Sequence, residues 1–287
     1  MRHLSMAAAL AAALSFTGCL QQIAVSTVGG MVDDGFSAFT EESDLAFAEQ
    51  ALPGNLKLLE VMLKSDPENT RLLRLASEGY CSYALAFLED SDPERAKEFY
   101  LRGRAYALRI LRQDADMAKA LEGSADELAA VLAKRGRSDV PAVFWTAFGW
   151  GAHISLSLND PNALAGLPKA EAMMLFVSRT DSTFYFAGAD VFLGMLYGSR
   201  PRMFGGDPAR SRAHFERALR LNQGKFLMTY VYFARSYAVL NQDQPLFDQC
   251  LATVDSASLD ILPAQRLANA VAKKKGQMLR AKAEELF

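Results

Sequence analysis

Leu193-Gly194-Met195-Leu196-Tyr197, followed by Ser211, Phe215 and Ala218, is the stretch whose reading decides the fold. The first part carries the L-G-x2-Y pattern of the first helix of a tetratricopeptide repeat, and the second has the small, aromatic, small spacing of the partner helix. Gly194 lets the partner backbone come close, and Tyr197 fills the groove beside it. The connection Arg200-Pro201-Arg202-Met203-Phe204-Gly205-Gly206 makes this unit about five residues longer than a 34-residue repeat. The same offsets return at Tyr230, Phe233, Ala234 and Tyr237, and at Tyr80, Tyr83, Ala84 and Phe87, the latter followed by Ala96 and Tyr100. An amphipathic helix pair cannot bury its apolar face alone, so such units must stack. An irregular helical domain in which aromatics simply pack is the alternative reading of these residues.

Working outward, turn chemistry punctuates the chain at Asp66-Pro67, Asp92-Pro93, Asp139-Val140-Pro141, Asp160-Pro161 and Asp207-Pro208. Aspartate caps the first free amides of a helix, and proline at the first helical position gives up an amide that has no partner anyway. Apolar periodicity between these marks predicts helices near 44–51, 53–64, 69–89, 93–111, 114–134, 141–157 and 168–178, then near 183–199, 208–221, 225–240, 244–254 and 264–286. No segment shows sustained strand-type alternation. The predicted class is all-α: stacked antiparallel helix pairs in a TPR-like α-solenoid.

The N-terminus carries its own signal. Met1-Arg2-His3 is a short basic head, Leu4 to Phe16 is apolar, and Thr17-Gly18-Cys19 closes the run with small residues before a cysteine. An apolar run this short cannot span a bilayer, which takes about 20 residues. The pattern is that of a lipoprotein signal peptide over 1–18, cleaved before Cys19 and lipidated there. Phe16 stands where leucine is commoner, so an ordinary signal peptide with a chance cysteine is the plainer alternative. Residues 19–40 read as a lipid-anchored tether and 41–287 as the helical-repeat domain. Leu20, rather than aspartate, follows the cysteine, which favours the periplasmic face of the outer membrane. The formal net charge of −2 offers no basic excess for nucleic acid. Cys81 and Cys250 fall in helical patterns and read as buried free thiols. No nucleophile stands beside a recognisable base and no residues show metal-ligand spacing, so the chain reads as non-enzymatic, with no metal and no cofactor.

Five stretches, in order, resemble the T component of tripartite TRAP transport systems (the TatT family): Leu52-Pro53-Gly54-Asn55-Leu56 with Ser65-Asp66-Pro67; Gly79-Tyr80 through Glu89; Val140-Pro141 through Gly151; Arg200-Pro201 with Phe204 to Pro208, His214 and Phe215; and Arg266-Leu267-Ala268-Asn269-Ala270. The resemblance implies a periplasmic, lipid-anchored helical-repeat protein able to form a homotrimer. Its partner would be a periplasmic solute-binding protein, and an apolar channel or cleft could hold a small-molecule ligand, an apolar or amphipathic carboxylate. A TPR lipoprotein that scaffolds envelope assembly without a ligand is the rival function. The unusually aromatic Ser182 to Gly188 segment departs from the family and leaves ligand preference open.

Candidate ligand or partner surfaces follow from the residues. Trp145, Phe148 and Trp150 flank Gly149 and Gly151, either lining an apolar pocket or packing helices. Phe184, Tyr185 and Phe186 face around their helix in all directions. The long loop offers Arg200, Arg202 and Phe204; its arginines either hold a carboxylate or cap a helix C-terminus. Asp190 interrupts an apolar face and reads as solvent-facing or arginine-paired. His153 reads as a satisfied, half-buried imidazole, His214 as exposed, and Lys273-Lys274-Lys275 as a solvated face.

Overall fold

Of the five aspartates marked in the sequence, Asp92, Asp160 and Asp207 cap helices as expected, whereas Asp139 makes no side-chain cap bond and Asp66 ends a helix whose successor is capped by Asn69. Asp44, Asp92, Asp114, Asp160, Asp207 and Asp243 each accept a backbone amide with the side chain at a helix N-cap. The computed structural model describes residues 35–287. The signal segment, Cys19 and the tether as far as residue 34 lie outside the described residues.

The helices run α1 (Leu45–Ser65), α2 (Thr70–Tyr83), α3 (Pro93–Leu111), α4 (Ala115–Glu122), α5 (Ala125–Leu132), α6 (Val140–Ser155), α7 (Leu167–Thr180), α8 (Phe184–Gly198), α9 (Pro208–Leu221), α10 (Met228–Tyr232), α11 (Gln244–Ser256) and α12 (Arg266–Arg280). No strand occurs among the described residues, and the fold is all-α. Neighbours in sequence are neighbours in space: α2 packs on α1 and α3, α6 on α3 and α7, and α8 on α7 and α9. The last long helix, α12, packs on α11 and returns to α1.

Two helix limits differ from the sequence reading. Pro53 does not end a helix; α1 runs through it. Ala48, Leu52, Leu56, Leu59 and Leu63 form one buried stripe across the proline, and both Pro53 and Glu49, whose carbonyl loses its amide partner, face solvent. Conversely, the helix expected over 114–134 breaks at Gly123. Ser124 and Glu127 form a reciprocal capping box that starts α5 afresh.

The repeat units have a feature that periodicity did not reveal. At Ala84–Leu88 and again at Phe233–Ala238 the helix widens into a π-turn. The bond from Glu89 N–H to the Ala84 carbonyl (2.9 Å) has its counterpart from Val239 N–H to the Ala234 carbonyl (3.1 Å). These are matching positions of the two copies recognised by their aromatics. Gly194 behaves as read: a Cβ there would lie 2.9 Å from the Phe215 ring, and Ser211 Oγ donates to the Gly194 carbonyl at 2.7 Å.

Apolar side chains gather in two cores, one centred on α1 to α7 and one on α8 to α12, with Leu85, Ala86 and Tyr185 packed against both. Cys81 and Cys250 are buried and free. Burial, with the Asp243 charge, pushes the Cys250 thiol up to about 12. Lys275 corrects the solvated-face reading: it is 6 % exposed and bonds Asp90 at 2.5 Å.

Groove tyrosines recur as donors to glutamates from earlier helices or turns: Tyr80 to Glu60, Tyr100 to Glu89 and Tyr197 to Glu171, each at 2.6 Å. Glu60 also receives Tyr106 at 3.0 Å and Arg102 at 2.5 Å. Burial works to raise the Glu60 carboxyl, but hydrogen bonds from Lys57, Tyr80 and Tyr106 and the Arg102 charge outweigh it, lowering the value from 4.5 to about 2. The unfolded chain therefore binds the extra proton between those limits. The stabilisation is whole above the unfolded value and is lost as pH falls through the folded one. Melting temperature should decline with acid over this range, and Glu60→Gln should flatten that limb; an identical acid limb in the variant would contradict the assignment.

Candidate functional site

Trp145, Phe148, Phe184 and Tyr185 come together where the two cores meet. Ring centroids lie 5.4 Å apart for Trp145 and Phe148, 4.8 Å for Trp145 and Tyr185, and 5.2 Å for Phe144 and Phe184. Phe186 stacks on Phe226 at 5.1 Å, carrying the seam into the second core. Trp145 is 1 % exposed and belongs to the core; Phe148, Phe184 and Tyr185 are half-buried. Gly188 lies under this seam, since a Cβ there would sit 2.8 Å from the Phe144 ring.

The backbone of the seam is strained. Tyr185 (φ 46°, ψ 53°), Phe186 (φ 57°, ψ 40°) and Ala187 (φ 63°, ψ 35°) form a left-handed turn at the start of α8. For L-residues this conformation costs about 1–2 kcal/mol each, and such strain gathers at functional positions. The surroundings hold it. Asp181 accepts from Thr183 N–H and is fixed by Arg137 at 2.8 Å. Asn222 Nδ2 donates to the Phe186 carbonyl at 3.2 Å. Burial pushes the Tyr185 hydroxyl up.

One turn along α8, Asp190 is wholly buried. His214 Nδ1 lies 2.7 Å from its Oδ1, Arg217 donates at 3.2 Å, and the Ser178 hydroxyl donates at 3.2 Å. Asp190 is thus arginine-paired and not solvent-facing. His214 is not the exposed side chain expected from its neighbours: it is 18 % exposed, stacked on Tyr197 and turned inward by Asp190. Sequence gave one clue, a charge on an apolar helix face; its partners lie 12, 24 and 27 positions away. Ser178 and His214 both engage the carboxylate, and with Arg217 the cluster ties α7, α8 and α9 together.

The remaining predicted residues stand apart from the seam. Arg200 Nε donates to the Leu196 carbonyl at 3.0 Å, capping the end of α8. Arg202 is exposed, and Phe204 closes the short 3-10 turn over Arg202–Phe204. Between them Met203 is 83 % exposed, the most outward large apolar side chain among the described residues. Two shallow hollows, one lined by Asp114, Lys119, Val131 and Arg135 and one by Thr70, Arg71, Ile110 and Pro141, mix polar and apolar lining and include none of the predicted site residues. Trp150 lies elsewhere, under the Arg104 guanidinium at 3.8 Å. Arg104 itself carried no sequence signal. No metal-binding group of His, Cys, Asp or Glu and no helix long and apolar enough to cross a membrane occurs among the described residues.

A protein-family model described as the TRAP transporter T-component matches residues 41–287. A protein of Treponema pallidum (strain Nichols), described as uncharacterized, is 26 % identical over 266 residues, covering 87 % of this chain and 82 % of that one.

Two substitutions probe the site. Ala187→Gly should leave stability unchanged or raise it by up to about 1 kcal/mol, because relief of the left-handed strain offsets one lost methyl. A helical alanine would instead lose about 1 kcal/mol, and a loss of that size in urea unfolding would contradict the strain. Asp190→Ala should cost about 3 kcal/mol by stranding His214 and Arg217; a loss under about 1 kcal/mol would remove the bracing role.

Proposed function

The chain belongs to the TRAP transporter T-component family, and from that premise we propose that it docks a periplasmic solute-binding protein while held to a membrane through lipidated Cys19. The family match over residues 41–287 carries this reading. Family members are accessory components of a transporter, which calls for a surface that receives a partner rather than for a reaction centre. The loop after α8 suits that role: Arg202 and Met203 stand out from a scaffold whose base is fixed by the Arg200 cap and by Asp207 N–H on the Tyr197 carbonyl at 3.0 Å. A projecting methionine beside an arginine joins adaptable apolar contact to a charged donor.

The same reading includes an outer-membrane site on the periplasmic side, a homotrimer, and an apolar small-molecule ligand. The aromatic seam supports the ligand: strained, half-buried rings between two cores can part more easily than a core at rest. The rival scaffold role needs no such seam.

In the native host, affinity capture of the protein after mild cross-linking of the envelope should recover a solute-binding protein, and the double change Arg202→Ala with Met203→Ala should reduce that recovery several-fold. Recovery of envelope-assembly proteins alone would favour the scaffold. Cys19→Ala should move the protein from the membrane fraction to the soluble fraction; unchanged fractionation would remove the anchor.

A further inference from the structure

We propose that Arg104, lying on the face of Trp150, receives the carboxylate of a small apolar acid at the seam between α3 and α6. The observation is a cation with no hydrogen-bonded counter-ion, Glu122 acting on it only through its charge. The Arg104 guanidinium sits 3.8 Å from the Trp150 ring. Its Nε is buried without an acceptor, and no hydrogen bond or ion pair engages its other nitrogens among the described residues. The other exposed or half-buried cations around it are satisfied. Lys97 bonds Glu94 at 2.7 Å, and Arg112 bonds Glu122 at 2.8 Å. Burial and the Arg112 charge lower the Arg104 value to about 10. Stacking on an indole accounts for where the guanidinium lies, but it satisfies none of the five N–H donors that the group presents in one plane.

The neighbourhood is built to hold it there. Gly149 brings α6 so close that a Cβ would meet Arg104 Cβ at 3.2 Å and the Tyr100 carbonyl at 2.8 Å. Gly166 lies against the indole edge of Trp150. One turn further along α6, His153 leans on the Lys97 backbone, while its Nδ1 is buried without a partner. It is therefore not the satisfied imidazole that the sequence suggested. Burial, with the Arg104 and Lys97 charges, lowers its value, so the ring is neutral and adds no second positive charge.

Charge count selects the ligand class. Lys97 and Arg112 are neutralised by their glutamates, and Asp160 is engaged at its own helix cap. One unpaired positive charge remains, which matches a carboxylate and not a phosphate carrying close to two charges. Leu101, one turn before Arg104 and 38 % exposed, and Leu164, two residues before Gly166 and 37 % exposed, offer apolar surface for a tail. The inference rests on the ligand-holding part of the proposed function but not on docking: it can hold whether or not a solute-binding protein docks.

The test is titration of the full chain with hexanoate, hexanol and inorganic phosphate, following tryptophan emission and heat in parallel. Hexanoate should bind saturably, the emission change should vanish in Trp150→Phe, and Arg104→Gln should weaken hexanoate at least about tenfold, the loss expected for one charge-assisted hydrogen bond. Arg104→Gln should also melt close to the parent, since a half-buried guanidinium with an unmet Nε contributes little beyond its stacking on Trp150. Absence of saturable heat or emission change would overturn the proposal. So would hexanol or phosphate binding as tightly as hexanoate, equal hexanoate affinity in folded Arg104→Gln, or a marked drop in melting temperature that makes the guanidinium structural.

Discussion

The architecture depends on a carboxylate that cannot remain alone. Glu89 is 9 % exposed at its side chain and leaves the first π-turn pointing into protein. It accepts the Tyr100 hydroxyl at 2.6 Å and lies 3.4 Å from Arg235, which belongs to the second π-turn. Lys275 on α12 stands 3.7 Å away and also holds Asp90 at 2.5 Å. A buried charge is tolerable only when paired and hydrogen-bonded. Here the charged partners of Glu89, Arg235 and Lys275, stand 146 and 186 positions downstream. The first π-turn, the second π-turn and α12 must therefore meet before this centre is satisfied; α12 also packs on α1.

Much of the fold was legible because local rules and packing agree. The caps at Asp92, Asp160 and Asp207, the Gly194 approach to Phe215 and the repeated aromatic offsets all state in sequence what the helices do. Readings failed where two local rules competed or where the answer was long-range. Pro53 spoke for a break, but the leucine stripe through Leu52, Leu56 and Leu59 outweighed it. Lys275 looked like part of a solvated run because its acceptors lie at the far end of the chain. The π-turns left no trace in periodicity, yet the paired sequences Tyr80 to Phe87 and Tyr230 to Tyr237 marked both places. What was missed was the consequence of that pairing.

The candidate site divides in the same way. The aromatic seam was visible as composition, since seven residues from Ser182 to Gly188 hold three aromatics. Its left-handed backbone was not, because no glycine announces it; Asn222, Asp181 and the ring contacts impose it from outside. Trp150 was singled out with Trp145 by proximity in sequence, yet helix rotation separates them. Trp145 joins the core, while Trp150 turns toward α3 and meets Arg104. Family membership gives these surfaces a context of transport, and the physical chemistry distinguishes a bracing cluster at Asp190 from a projecting loop at Met203.

The return of α12 to α1 also bears on how this lineage can change. An open array tolerates gain or loss of a unit, because a new module needs only its two neighbours. Here a tandem duplication would carry Lys275 away from Asp90 and prise Arg235 from Glu89. Module number is thus frozen by electrostatics, and diversification is channelled into loop length and side-chain exchange at the rim.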